Sequence, residues 1–378
     1  MPAAAQTPAT LSAPAPAAPV QTAANGTPLP PPNTGNNGFD TQGPMDAPIP
    51  NADPNNPNPF YRTEDLGTTK IPGASKTAKP AFSFDITWVD NNGMVYLADR
   101  TNKGVTLINA YFGNNDTYNS TIGGFVGLRD ADTSGPNGVV TDAQGNIGWA
   151  GDGDSTVKVF DVNAKQVTAT ISTGGTKRAD ELAYDPGDNL ILIANDADKP
   201  PFITFINTKT NQVVGQIKYP DATNGIEQSV YNGGDGAFYL AIPQTTANPG
   251  GEIDRIDPKA LAIAARFGVQ NCIPHGLALG PNNQLLLGCS GDAMTSLKQH
   301  AQSQIMNAAN GQIVKVITQV GGSDEVWYLP GQSRYYLAAS SMTDDGTASG
   351  KPTPVLGVID AITNTWIENV PTAAGSHS

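Results

Sequence analysis

The sequence predicts an all-β protein built from a repeated unit of four short strands. Its 378 residues include 41 Gly and 31 Pro but only 7% aromatic residues, a composition typical of many strands joined by turns. The longest apolar runs, such as 190–194 and 285–287, have the length of a strand and are too short to span a membrane. A third observation, a repeat of 43 to 52 residues, follows from position 85 onward.

Three regions differ in composition. Residues 1–58 are rich in Pro, Ala and Asn and contain no Lys or Arg, so we expect a disordered tail or linker that cannot bury enough apolar area to fold. Residues 59–81 form a transition segment that could add one strand to the domain. Residues 82–378 contain the repeats.

The best-preserved repeat starts at Asp180 and continues to Tyr219. It predicts strands at 180–186, 190–195, 202–208 and 213–219, with turn residues such as Asp185-Pro186-Gly187-Asp188 and the segment 207–211 between the last two strands. Equivalent units start at Asp85, Asn137, Asp180, Glu227, His275 and Asp324, with spacings of 52, 43, 47, 48 and 49 residues. Four strands with this period predict the blades of a β-propeller.

The number of blades has two interpretations. Six complete blades are present, and a seventh equivalent position falls on His377, 53 residues after Asp324. The ring therefore closes with six blades, or it has seven and the last is incomplete in this chain.

One stretch of the repeat resembles a known family. Ser155–Asp161 followed by Val167–Gly175 is similar to a YVTN-family blade, in which the third strand ends in an Asp-containing turn and the fourth leads to Gly. Residues 357–364 and 205–208 repeat this pattern. The resemblance covers 82–376 and implies a secreted bacterial propeller, but it does not imply one function, because such propellers have many roles.

The start of each innermost strand carries a polar residue that faces the central channel. We expect Asp85, Asn137, Asp180, Glu227 and Asp324 to be ligands of a divalent cation, calcium being the first candidate, because a ring of carboxylates repels itself without one. In the alternative interpretation these side chains only bond the neighbouring blade or channel water. The segment Asp130–Gly135 also copies the first half of an EF-hand-like calcium loop, although it fits an ordinary turn as well.

Further polar residues are predicted around this ring. Consecutive side chains of a strand point to opposite sides, so Glu181, Gln228 and Glu325 are expected behind the channel residues, as supporting or structural groups. Loops on the same face are expected to form an acidic rim that includes Asp152, Asp154, Asp196 and Asp198. Exposed Asp residues are also common in turns.

The net charge and the absence of known catalytic motifs reduce the number of candidate functions. A net charge of -13 without a cluster of Lys or Arg argues against nucleic acid as a partner. Motifs of serine hydrolases, zincins and nucleotide-binding proteins are absent from the sequence. We expect an exported protein that binds a partner protein, a polysaccharide or a small ligand on its channel face. The alternative is a metal-dependent hydrolase or lactonase in which His275 or a spare carboxylate activates water.

The two cysteines give information on the cellular compartment of the protein. Cys272 and Cys289 flank a predicted hairpin centred on residues 281–283, so they form either a disulfide or two buried thiols. We expect a secreted or periplasmic protein, although the first twenty residues lack the basic start and Leu-rich core of an export signal.

Overall fold

The computed structural model describes residues 70–74, 79–110 and 117–378. Across these residues the chain forms six four-stranded antiparallel sheets, each a blade of a six-bladed β-propeller. The predicted all-β fold is confirmed, and the seven-bladed alternative is wrong. The predicted tail, 1–58, and most of the transition segment 59–81 lie outside the described residues.

The first half of the ring contains blades 1 to 3, and their strands follow one another from the channel outward. Blade 1 consists of β1 (Thr87–Val89), β2 (Met94–Asp99), β3 (Gly104–Asn109) and β4 (Thr117–Gly123). Blade 2 consists of β5 (Val139–Thr141), β6 (Ile147–Asp152), β7 (Thr156–Asp161) and β8 (Gln166–Ser172). Blade 3 consists of β9 (Leu182–Asp185), β10 (Leu190–Asn195), β11 (Phe202–Asn207) and β12 (Gln212–Lys218).

The second half contains blades 4 to 6 and the short helix α1 (Gly291–Ser296), which follows β18. Blade 4 consists of β13 (Ser229–Asn232), β14 (Ala237–Ile242), β15 (Glu252–Asp257) and β16 (Ala262–Gly268). Blade 5 consists of β17 (Pro274–Gly280), β18 (Gln284–Cys289), β19 (Ser303–Asn307) and β20 (Ile313–Ile317). Blade 6 consists of β21 (Val326–Leu329), β22 (Arg334–Ala339), β23 (Val355–Asp360) and β24 (Thr365–Pro371). No helix of the described chain has the length and apolar character needed to cross a membrane.

The blades share a local irregularity that marks them as copies of one unit. In each blade the pairing of the third and fourth strands shifts by one residue at the same place, for example between Val159 and Phe160 in blade 2 and between Phe205 and Ile206 in blade 3. An extra residue of this kind increases the local twist of a sheet. The Asp or Asn that ends the third strand then accepts backbone hydrogen bonds across the turn, as Asp161 and Asp257 do.

The core lies between neighbouring blades. All six residues of β10 are buried, because this strand has a blade on either side, whereas the outermost strand β16 alternates between exposed and half-buried residues. Large rings fill the space between blades, such as Phe205 against Phe238. The blades are therefore rigid supports for the residues at the channel mouth.

The ring closes between blades 6 and 1. The Trp88 and Trp327 rings of the two innermost strands lie 6.4 Å apart, nearly perpendicular to each other. The C-terminal segment lies beside them, and the backbone N–H of Thr87 donates to Ser378 Oγ at 2.9 Å. Residues 376–378 thus contact blade 1 instead of starting a seventh blade.

Candidate functional site

The residues that the repeat predicts at the channel mouth do occupy equivalent positions, and we call them the collar: Asp85, Asn137, Asp180, Glu227, His275 and Asp324. In five blades the collar residue precedes the innermost strand by two positions and donates its backbone N–H to the second strand; the acceptors are the carbonyls of Ala98, Gly151, Ala194, Ala241 and Ala338. In blade 5 the strand starts earlier, and His275 lies at a register shift between Pro274 and Gly276. The sequence period therefore located this layer correctly.

Arg100 binds two residues of the collar, Asp85 and Asn137. Arg100 Nη2 lies 2.5 Å from Asp85 Oδ2 and donates to Asn137 Oδ1 at 2.6 Å, and its Nε donates to the same oxygen at 3.2 Å. The amide nitrogen of Asn137 donates to the carbonyl of Ala179 at 2.8 Å. Asp85 and Asn137 are thus held by a cation of the protein itself.

Arg178 binds the next collar residue, Asp180, in the same way. Its Nη2 lies 2.7 Å from Asp180 Oδ2 and 2.8 Å from Asp196 Oδ2. Its Nη1 donates to the carbonyl of Ala131, so the loop predicted to resemble a calcium site instead supplies a backbone acceptor to arginine. Burial raises the pKa of Asp196 to about 7, and the charge of Asp180 adds to this effect while Arg178 opposes it.

His275 lies between two carboxyl groups. Its Nδ1 is 3.2 Å from Asp324 Oδ1 and 4.0 Å from Glu227 Oε1. Burial alone would lower the pKa of His275, but the charge of Glu227 and the hydrogen bond and charge of Asp324 raise it to about 9. The pKa of Asp324 is lowered although burial opposes this, because His275 stabilises its carboxylate. At neutral pH the two form an imidazolium–carboxylate pair.

Two further features complete the collar. Burial raises the pKa of Glu227 to about 8, although the charge of His275 opposes the shift. His377 lies between blades 6 and 1, with Nε2 at 3.4 Å from Asp324 Oδ2 and 3.6 Å from Asp85 Oδ1. The seventh equivalent position of the sequence therefore belongs to the same layer without belonging to a seventh blade.

A second layer lies behind the collar, where Glu181, Gln228 and Glu325 are all buried. Gln228 Oε1 accepts hydrogen bonds from the backbone N–H groups of Leu277 at 2.6 Å and Val326 at 3.4 Å, which ties blade 4 to blades 5 and 6. Burial raises the pKa values of Glu181 and Glu325 well above the usual value, and the charges of nearby carboxyl groups add to the rise. Burial thus favours the protonated form of both glutamates.

The four predicted rim residues have different roles. Asp152 is buried and accepts hydrogen bonds from the backbone of Val126 and Gly153, and burial raises its pKa to about 6. Asp154 pairs with Lys158 at 3.0 Å. Asp198 accepts from the backbone of residues 176 and 177. Of these four, Asp196 is the one that joins the collar, through Arg178.

The predicted metal ligands do not form a free set of oxygens. Arg100 and Arg178 already bind Asp85, Asn137 and Asp180. Throughout residues 70–74, 79–110 and 117–378, no three His, Cys, Asp or Glu side chains are arranged to hold a metal ion. A divalent cation bound by Asp85, Asn137 or Asp180 would have to compete with these arginines.

A cavity of about 350 Å³ opens beside the collar between blades 5 and 6, and we call it the mouth pocket. Its lining residues are His275, Ser290, Gly291, Asp292, Met294, Thr295, Gly322, Ser323, Asp324, Ser340, Ser341, Thr343 and Ala348. Three buried atoms of this lining, namely His275 Nε2, Ser290 Oγ and Ser323 Oγ, have no hydrogen-bond partner among the described residues. The serines were not predicted from the sequence, where each looks like an ordinary turn residue.

The disulfide lies directly behind this pocket. Cys272 and Cys289 are bonded, which confirms the predicted pairing. The carbonyl of Cys289 accepts hydrogen bonds from the backbone N–H groups of Gly322 and Ser323, and Ser290 is the next residue along the chain. The disulfide therefore anchors the strand end that positions both unpartnered serines.

Comparison with known proteins identifies the architecture alone. No protein-family profile and no curated protein sequence matches the chain. In contrast, 1436 chains of solved structures match its fold. One of them, described as Kuenenia stuttgartiensis hydrazine synthase, has a TM-score of 0.55 and 14% identity, over 77% of this chain and 84% of that chain. At this identity the likeness shows a shared propeller fold, and function has to be argued from the site.

Proposed function

We propose that this propeller binds a small polar ligand in the mouth pocket. The observation that carries the proposal is that three residues lining one cavity, His275, Ser290 and Ser323, each hold a buried polar atom without a hydrogen-bond partner among the described residues. A buried polar group without a partner costs about 1–3 kcal/mol, so most such groups in proteins are paired. Three such residues around one pocket support a role in binding a polar ligand.

The size and position of the pocket support this proposal. Its volume of about 350 Å³ falls at the lower end of the range for small-molecule sites, about 300–1,000 Å³. It lies on the face where the collar converges, between two rigid blades. A ligand there would contact the collar through His275 and Asp324.

The protonation of His275 favours binding over hydrolysis. In the hydrolase alternative this residue would accept a proton from water. Its pKa of about 9 leaves it protonated at neutral pH, so it can donate a hydrogen bond but is a poor general base. A protonated imidazole suits an oxygen acceptor of a bound ligand.

A divalent cation at the collar is a second candidate. Five carboxyl groups, those of Asp85, Asp180, Asp196, Glu227 and Asp324, lie in or beside the collar, with Glu181 and Glu325 behind them. The surrounding basic side chains are Arg100, Arg178, His275 and His377. Carboxyl oxygens are the ligands that calcium prefers, so this concentration of them supports a cation at a pH at which they are ionised.

We also propose that the protein is exported and related to YVTN repeat propellers. A disulfide persists in oxidising compartments such as the periplasm or the extracellular space, and Cys272–Cys289 supports that location. The turn after the third strand, with its Asp or Asn acceptor, supports the kinship of the repeats.

Blocking the pocket tests the binding proposal. Ligand-observed NMR with a library of small polar compounds would be run on the wild type and on Ala348→Trp, which fills the pocket from its exposed rim. Ala309→Trp is the matched control, because Ala309 is also exposed but lies in the turn after β19, at the opposite end of blade 5. We expect hits that disappear only in Ala348→Trp. A library without hits, or hits equally retained in both variants, would overturn the proposal.

A further inference from the structure

The lining of the mouth pocket also indicates which class of ligand fits, an inference that rests on the function proposed above. We infer that the pocket takes a neutral polyhydroxylated molecule of about the size of a monosaccharide. The pocket combines a fixed donor, fixed acceptors and several hydroxyl groups, and its charges nearly cancel.

The pocket offers both hydrogen-bond donors and acceptors. The imidazolium of His275 is donor-only at Nε2, while the carboxylates of Asp292 and Asp324 are acceptor-only. Between them lie the hydroxyl groups of Ser290 and Ser323, which serve in either role. A ligand that satisfies such a lining needs donors and acceptors on neighbouring atoms, as the hydroxyl groups of a polyol provide.

The charge of the pocket disfavours an anion. His275 and Asp324 neutralise one another at 3.2 Å, which leaves the exposed Asp292 as the excess charge. Asp292 Oδ2 accepts a hydrogen bond from Asn224 at 3.1 Å, which leaves its charge in place. Among the described lining residues no Lys or Arg is present to hold a carboxylate or phosphate. With a chain charge of -13, an anionic ligand would be repelled.

The steric features fit a compact ligand instead of a flat aromatic one. Gly291 and Gly322 form part of the wall, and a Cβ at Gly291 would lie 2.8 Å from Ser341 Oγ. The lining that the structure describes contains no aromatic ring on which a base or a drug-like ring could stack, and Met294 is its longest apolar side chain. A small hydroxylated ring or chain can fill this space with polar contacts.

A matched ligand panel tests the inference. Glucose, galactose and sorbitol are the neutral probes, gluconate and galacturonate add a carboxylate, and glucosamine adds an amine. Binding to the full chain would be measured by saturation-transfer NMR and calorimetry at pH 7 and low salt. We expect the neutral probes to bind, with at least a tenfold weaker affinity for the carboxylates, and to lose binding in Ala348→Trp.

A charge variant sharpens the test. Asp292→Asn removes the excess negative charge, so the affinity for gluconate should move closer to that for the neutral probes. Asp188→Asn removes one charge from an exposed turn on the opposite face and should leave this difference in affinity unchanged. If a carboxylate, an amine or an unrelated compound binds the pocket better than every neutral polyol, the class is wrong while the binding function stands. If no compound of the panel or of the polar library binds in a way that Ala348→Trp abolishes, both are wrong.

Discussion

His275 and Asp324 form a hydrogen-bonded ion pair across neighbouring blades, with Nδ1 and Oδ1 3.2 Å apart. The pair uses one nitrogen of the imidazole, so the other, Nε2, is left buried and without a partner among the described residues, in a side chain that lines the mouth pocket. Because Asp324 and Glu227 raise the pKa of His275, Nε2 carries a proton at neutral pH. The collar carboxylates thus keep His275 protonated, so that its Nε2 is a hydrogen-bond donor.

The buried carboxyl groups predict that stability falls as the pH rises. Glu181, Glu227 and Glu325 have raised pKa values in the folded protein, whereas an unfolded glutamate has a pKa near 4.3. At a pH between the unfolded and the folded pKa, the native state binds protons that unfolding releases, so the free energy of unfolding falls as the pH rises. His275 acts in the same direction, since its stabilising charge is complete below pH 6.5 and is lost as the pH rises through about 9. We expect a melting temperature about 5 °C lower at pH 9 than at pH 5.5, measured by calorimetry.

Glu181→Gln provides the control for that pH dependence. The amide retains the shape of the protonated carboxyl but cannot ionise, so the variant should lose less stability than the wild type on going from pH 5.5 to pH 9. Asp188→Asn, on an exposed turn, should follow the wild-type curve. A pH profile unchanged by Glu181→Gln would mean that this buried group does not drive the effect.

Ser323→Ala separates a binding role from a structural one. The Ser323 hydroxyl is buried and lacks a partner in the described part of the chain, so its removal should stabilise the unliganded protein, by about 1 kcal/mol in urea unfolding. The same variant should bind pocket ligands more weakly, because it loses one hydrogen bond. A variant that is destabilised, with unchanged affinity, would contradict the proposed use of this hydroxyl.

The repeat made the fold and the collar predictable. Asp85, Asn137 and Asp180 recur at intervals of 52 and 43 residues because each precedes an innermost strand, and equivalent backbone hydrogen bonds hold each of them there. The cysteine pair was predictable for a similar reason, since a hairpin between Cys272 and Cys289 brings them together.

The partners of the collar were not predictable, because they depend on contacts between blades. Arg100 is a single basic residue in a polar loop and Arg178 follows Lys177 in another, and nothing in their spacing indicates that their side chains turn inward. Ser290 and Ser323 come from different blades and meet only in the folded ring. The one available signal was that a collar of carboxylates needs compensating positive charge, and the pattern alone does not show that arginine supplies part of it.

Removal of Arg178 should destabilise the ring strongly. Its guanidinium compensates Asp180 and Asp196, and its side chain is only 21% exposed. Breaking a buried pair by removing one partner leaves uncompensated charge, so Arg178→Gln should cost about 3 kcal/mol in urea unfolding. Lys177→Gln is the matched control, because Lys177 pairs with Asp132 at the exposed surface and should cost less than about 1 kcal/mol. Equal losses would contradict a special role for Arg178.

Calcium should stabilise the protein more at high pH than at low pH. Protons and a divalent cation compete for the same carboxyl groups, so calcium should bind only where these groups are ionised. Extracellular calcium sites have dissociation constants on the order of 10⁻⁴–10⁻³ M, so the measurement uses millimolar calcium. We expect calcium to raise the melting temperature at pH 8.5 but not at pH 5.5, with EDTA reversing the effect. Arg178→Gln, which frees Asp180 and Asp196, should enlarge the shift. Identical melting curves with calcium and EDTA at pH 8.5 would overturn the cation candidate.

Reduction of the disulfide should affect stability and ligand binding together. Cys272 and Cys289 close a loop with a sequence separation of 17, for which the loss of the cross-link costs about 3 kcal/mol. The carbonyl of Cys289 also holds the backbone of Ser323, so loosening this strand end should displace the pocket hydroxyls. The double variant Cys272→Ala/Cys289→Ala should therefore unfold at lower urea and bind pocket ligands more weakly even where it is fully folded. Unchanged affinity in the folded variant would show that the pocket is positioned without the disulfide.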